Sequence, residues 1–203
     1  MLYFTREYVP NSTSVIPITS EKFLSFKIGN LRLLDSLQFR TAYLDTLVQS
    51  LAVDGRDIFD HTARHYPNNA LVFAEGKYPF EYMDGRNKLL FTELPPINAF
   101  YSSLSKETIT PDGYERDQKV WREINIENMQ QYHDIYLNLY VLLLVDVFEY
   151  FRQTCTLDYY PDLAHYRTLP GFTFDASLKF TEQKLDLFSD SEKFLFIENS
   201  IRS

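Results

Sequence analysis

The chain carries 203 residues, about one domain's worth, with 45% apolar and 24% charged side chains, which excludes a disordered tail for most of its length. Acids outnumber bases 28 to 20, a formal charge of −8, which argues against bulk electrostatic binding of nucleic acid but leaves room for a local basic groove. The longest wholly aliphatic run, Val141 to Val145, falls far short of the ~20 residues that a membrane span needs.

Residues 1–20 are polar and broken by Pro10 and Pro17, and read as a poorly ordered lead-in or as the tail of something longer. Glu21 to Phe39 has the pattern of a hairpin. Phe23, Leu24, Phe26 and Ile28 form one apolar run, Gly29-Asn30 is a two-residue turn, and Leu31 to Leu34 is the return. Ala42 to Val53 predicts a helix, because Leu44, Leu47, Val48 and Leu51 recur at i, i+3, i+4 and i+7; Asp54-Gly55 ends it. A second short helix spans Arg56 to Tyr66 and stops at Pro67. Residues 68–112 are irregular, punctuated by Gly76, Pro79, Gly85 and Pro95-Pro96, with a short strand expected at Ala70 to Ala74. Thr110 as cap and Pro111 at the first position start a helix that reaches Trp121. The strongest element is a long helix from about Ile126 to Thr154. Between Leu139 and Val147 it is apolar nearly all round, so deep burial is expected. Shorter helices follow Pro161, near Gly171 to Thr181 and Ser191 to Ile201. The mixture predicts an α+β chain dominated by helix.

Few residues carry obvious chemistry. The six glycines never form GxG or GxxxxGK, which excludes a glycine-rich phosphate cradle. A single cysteine, Cys155, excludes a disulfide framework within the chain and a Cys-rich zinc site, and it fits a reducing compartment. His61 and His65 have i, i+4 spacing, but Thr62 stands where a zinc protease needs Glu, so a solvated helix face is the expectation. His133 and His165 are isolated and read as packing or surface residues. Asp190 and Glu192 have a D-x-E spacing, but acids at a helix start favour the helix dipole, and a cap is expected there.

The most informative stretch runs from Tyr132 to Phe148, YHDIYLNLYVLLLVDVF. It resembles the third exonuclease motif, Y-x-x-x-D on a helix, of protein-primed family-B DNA polymerases of the Polinton/Maverick transposon or virus type. Further stretches are similar in the same order. Ser20 to Phe26, followed by Leu33 to Phe39, looks like that family's strand leading into a D-S-h-x-F segment. Lys77 to Asp84, Glu93 to Pro96 and Ala99 to Ser102 look like its connector, and Leu169 to Ala176 like the block ahead of its palm. The match covers Val15 to the last residue.

The resemblance implies a fold: an α+β or α/β chain, a partial RNase-H-like 3′-5′ exonuclease domain followed by a mostly helical connector. Residues 21–155 would form the C-terminal half of the exonuclease-like domain, and 156–203 a helical link to a missing palm domain. It also implies a function in the parent protein: protein-primed, DNA-directed DNA synthesis in replication, with Mg2+-dependent proofreading and a single-stranded DNA 3′ end as ligand. The D-x-E and Asp of the first two exonuclease motifs and the polymerase motifs are absent from this sequence, so the resemblance makes the chain a fragment.

Tyr136 keeps the tyrosine of the third motif, whereas Tyr140 stands where the family has its metal-binding Asp. A phenol with pKa ~10 is neutral at pH 7 and longer than Asp. Asp134 and Asp146 lie six residues to either side, about 9 Å along a helix and turned away, so neither reaches the same ion. The expectation is a dead proofreading centre with no cofactor of its own. In the family a Ser-Leu pair contacts the frayed 3′ end, which points to Ser36 and Leu37 as DNA-binding. The other reading is that Ser36 caps a turn and Leu37 lies in the core. Aromatics beside such a groove would stack on bases, although most of the 17 Phe and 15 Tyr must be core. A non-enzymatic, transposon-derived module that binds DNA or another protein is the competing class.

Overall fold

A computed structural model describes residues 13–19, 22–39, 42–53, 55–67, 76–186 and 189–201. Its spine is a helix of 31 residues, Met129–Tyr159, about 46 Å long. Three apolar clusters are strung along it. Near its start, Met129 and Tyr132 meet Tyr78, Val120 and Ile126. At its middle, Leu143 and Val147 meet Leu44, Val48, Leu51 and Phe59. Towards its end, Cys155 meets Phe39, Leu163, Phe172 and Ala176.

Among the described residues the architecture is mixed α+β and mostly helical: one three-stranded antiparallel sheet and six α-helices. The strands are β1 (Thr13–Pro17), β2 (Phe23–Ile28) and β3 (Leu31–Leu34), in the order β1-β2-β3. The predicted hairpin is β2-β3, with Ile28 opposite Leu31. Gly29 has φ +57° while Asn30 stays outside the left-handed region, the pattern of a two-residue turn with glycine first. The expected disordered lead-in is corrected over residues 13–17. Val15 pairs with Phe26 and makes β1 a strand, and an irregularity at Ile16/Pro17 closes the ladder. Pro17 can sit there because an edge strand tolerates a missing N–H.

The helices are α1 (Leu44–Ala52), α2 (Asp60–His65), α3 (Pro111–Glu123), α4 (Met129–Tyr159), α5 (Leu169–Thr181) and α6 (Ser191–Ile201). The expected Arg56–Tyr66 helix is split into a 3-10 turn at Arg56–Ile58 and then α2, because the ring of Phe59 is fully buried between them. At α3, Thr110 accepts a hydrogen bond from Gly113 N at 3.2 Å, as the sequence predicts. It ends in a Schellman motif. Asn125 takes φ +55° and Ile126 N donates to Trp121 O at 2.9 Å. That motif and the Asn128 cap, which accepts from Gln131 N at 3.0 Å, move the start of α4 past the expected Ile126. The helix continues beyond Thr154 to Tyr159, and Tyr160 at φ +78° turns the chain away.

Deep burial of α4 holds on one side only. Leu139, Leu143 and Val147 are buried, whereas Leu137, Tyr140, Val141 and Val145 are exposed. Residues 76–110 are irregular, with 3-10 turns at Arg86–Leu90 and Ile97–Phe100. The strand expected at Ala70 to Ala74 and the Asp54 of the expected stop lie outside the described residues. No helix among the described residues is long and apolar enough to cross a membrane.

Candidate functional site

The hairpin delivers Ser36 and Leu37 to the flank of α4. After β3 the chain makes a 3-10 turn at Ser36–Gln38, and Asp35 Oδ1 accepts from Leu37 N at 3.0 Å. Asp35, not Ser36, therefore caps the turn. Leu37 is 63% exposed and stands outside the core. The core position is taken by Phe39, set edge-on to Phe148 with ring centroids 5.9 Å apart. The cap-and-core reading of Ser36-Leu37 therefore fails at both residues.

They face a cavity of about 520 Å³ whose opposite wall is α4. Asp35, Ser36, Leu37, Tyr43 and Leu47 line one side, and Tyr140, Leu144 and Phe148 the other. Three of the four residues singled out from the sequence (Ser36, Leu37 and Tyr140) thus share one space. Tyr136 sits one turn back, outside that lining. Its ring stacks on Tyr78 at 5.3 Å, meets Phe80 edge-on at 5.9 Å and lies 6.4 Å from Tyr140. Tyr78 belongs to the core near the start of α4, so the aromatic row runs from the core into the cavity.

A second, larger space of about 900 Å³ adjoins the first and shares Ser36, Leu144 and Phe148 with it. Its lining includes Lys27, Arg32, Arg152 and Arg167 against two carboxylates, Glu149 and Asp162. Arg152 pairs with both acids, at 3.1 Å from Glu149 and 2.7 Å from Asp162. That pairing pulls the Asp162 carboxyl down to about 2, chiefly through the Arg152 hydrogen bonds. The Arg32 guanidinium donates to the backbone carbonyls of Ala164 and His165, and among the described residues it has no ion pair. Lys27 and Arg167 have no ion pair among the described residues. The groove is thus cationic on a chain of net charge −8. Its four cations come from positions 27, 32, 152 and 167, so no run of charge in the sequence announced it.

The donor set does not fit Mg2+. That ion wants several oxygen ligands in near-octahedral order. The 520 Å³ cavity offers one carboxylate, Asp35, already accepting from Leu37 N, and a phenol at position 140. Asp134 is on the surface, where it accepts from Gln130 Nε2 at 3.1 Å. Asp146 is only 1% exposed and accepts four hydrogen bonds, from His61 N, His61 Nδ1, Thr62 N and Thr62 Oγ1. It caps α2 from across the fold, a role the sequence reading missed. A lone acid inside the apolar run LLLVDV was the available signal, since a buried charge must find partners.

The remaining candidates are structural. His61 and His65 are both exposed on α2, the solvated face expected; His61 Nδ1 also lies 2.8 Å from Asp146, and His65 lies against Tyr66. His133 is edge-on to Tyr78, and Cys155 is buried in the core. Asp190 accepts from Glu192 N at 2.9 Å and caps α6, as expected. A second buried carboxylate, Asp117, accepts from Arg116 and lies 3.2 Å from the Tyr132 hydroxyl, which is also 2.8 Å from the Lys77 carbonyl. Burial first, and then the adjacent Asp117, hold the Tyr132 phenol well above its ordinary range. No family model matches the chain, and no curated protein or solved structure is significantly similar to it.

Proposed function

We propose that this chain is the rear half of an RNase-H-like exonuclease domain of the protein-primed family-B DNA polymerase type, with the helical connector that follows it. On this reading it holds a single-stranded DNA 3′ end and does not cut it. The observation that carries the reading is the convergence of Ser36, Leu37 and Tyr140 on one cavity, with a cationic groove leading into it. The parent activity would be protein-primed, DNA-directed DNA synthesis with proofreading. This chain contributes the strand-holding side of that proofreading centre, and its donor set leaves hydrolysis without a metal.

Filter binding of labelled single-stranded DNA across a salt series tests the reading, alongside a nuclease assay with Mg2+ or Mn2+. Binding that weakens steeply with salt, with no released nucleotide, is expected. Metal-dependent shortening of the strand, or no binding at low salt, would overturn it. A non-enzymatic protein-interaction module is the second reading. The exposed apolar side chains Phe194, Leu195, Phe196 and Ile201 on α6 favour it.

A further inference from the structure

Tyr140 makes the site different from a metal centre, and its surroundings say what that difference does. The residue is 41% exposed and so lies outside the core. One side is backed by Tyr136, which is itself stacked on Tyr78. The rest of the ring forms part of the wall of the 520 Å³ cavity. Tyr43 lines the same cavity and is 88% exposed. An aromatic row rooted in the core therefore ends in open space of a size that holds one planar heterocycle.

The geometry points to Tyr140 as a stacking platform for an unpaired nucleobase of single-stranded DNA, in the place where the resemblance puts a metal ligand. The occupant is chosen by charge. The cavity opens into the groove of Lys27, Arg32 and Arg167, whose positive balance suits a phosphodiester backbone and not a neutral or cationic ligand. A strand lying along those cations brings its last base over the shared wall of Ser36, Leu144 and Phe148 to Tyr140. Asp35 is the one acid on this wall, and its carboxylate is turned to the Leu37 N–H. Every base has a π-face, so binding of this kind is tolerant of sequence. The inference rests on the strand-holding reading above and adds to it the residue that grips the base.

The experiment is fluorescence anisotropy at low salt with two probes, a labelled oligothymidine and the same strand carrying abasic 3′-terminal nucleotides. Wild type, Tyr140→Phe and Tyr140→Ala are compared, with circular dichroism to check that each is folded. The platform predicts that Tyr140→Phe binds as wild type does. Tyr140→Ala should lose about 5- to 150-fold on the intact strand, the range for one stacked base. Wild type should lose a similar factor on the abasic strand, where Tyr140→Ala costs little more. Equal binding of both probes by wild type, with an unchanged salt slope, would overturn the platform and leave the strand-holding reading standing. No binding of either probe would overturn both. The abasic comparison uses the wild-type chain, so it decides the question even where Tyr140→Ala fails to fold.

Discussion

Asp146 is the residue whose loss should cost this fold most for the smallest change in volume. It sits on the buried side of α4, 1% exposed, and ties α2 to the spine. Asp146→Ala leaves two donors of Thr62, its N–H at 3.0 Å and its hydroxyl at 2.6 Å, without their acceptor, and Thr62 is fully buried. A buried unsatisfied donor costs about 1–3 kcal/mol. The relief of not burying a carboxylate offsets part of that. A net loss of about 3 kcal/mol follows, a large fraction of the ~5–15 kcal/mol that holds a domain folded. For a chain of this size that lowers Tm by about 6–12 °C. Asp146→Asn keeps one acceptor oxygen for one of the two backbone N–H groups and should lose about half as much. Thr62→Val removes the hydroxyl at constant shape, and its effect should shrink sharply in the Asp146→Ala background because the two share one bond. Thermal melts followed by circular dichroism read all of these. A Tm for Asp146→Ala within about 2 °C of wild type would refute the reasoning.

Four further outcomes follow from the same geometry. Asp162 is held at about 2, below its ordinary 3.8, mainly by Arg152, so its contribution is complete above about pH 4 and is lost as pH falls through 2. Arg152→Gln should therefore lower stability by about 1 kcal/mol near neutrality, since the pair is partly solvated, and the gap to wild type should close in acid melts. Tyr132→Phe removes a hydroxyl from buried Asp117 and the Lys77 carbonyl and should cost about 1–3 kcal/mol in urea unfolding. Lys27→Ala and Arg167→Ala should each reduce the salt slope of single-strand binding by about one and weaken all sequences alike. Tyr140→Asp should release no nucleotide with Mg2+, because Asp134 and Asp146 stay where they are; metal-dependent product from that variant would show a ligand set this geometry does not contain.

What was legible in the sequence was what short-range chemistry decides. Thr110-Pro111 fixed the start of α3, and the period of Leu44, Leu47, Val48 and Leu51 fixed the buried face of α1. Gly29-Asn30 placed the hairpin turn within the residue. What was missed depends on partners far along the chain. Val15 and Ile16 lie between prolines and look like a loose end until Phe26 and Ser25 pair with them. The solvent-facing side of α4 could not be told from its buried side, because Val141 and Val145 are as apolar as Leu143 and Val147. Ser36 and Leu37 stand out in the sequence only through the family resemblance, and only the fold shows Asp35 taking the cap beside them.

The placement of acids on α4 carries one more consequence. A carboxylate at position 146 is committed to α2, and its four donors hold it on the face of the helix away from the cavity. Turning Asp146 towards a metal would release α2 and strand the buried Thr62 donors, at a cost near that worked out above. Asp134 lies six residues before Tyr140, about 9 Å along the axis and turned to another face, too far to serve that position. The helix that shapes the cavity therefore supplies it with rings and aliphatic side chains and no free carboxylate. The other wall brings one acid, Asp35, tied to the Leu37 N–H, and positive charge enters only from the adjoining groove. An aromatic pocket beside a cationic groove favours holding a strand over hydrolysing it, since stacking needs only a fixed ring, whereas metal-assisted attack needs several oxygens converging on one point.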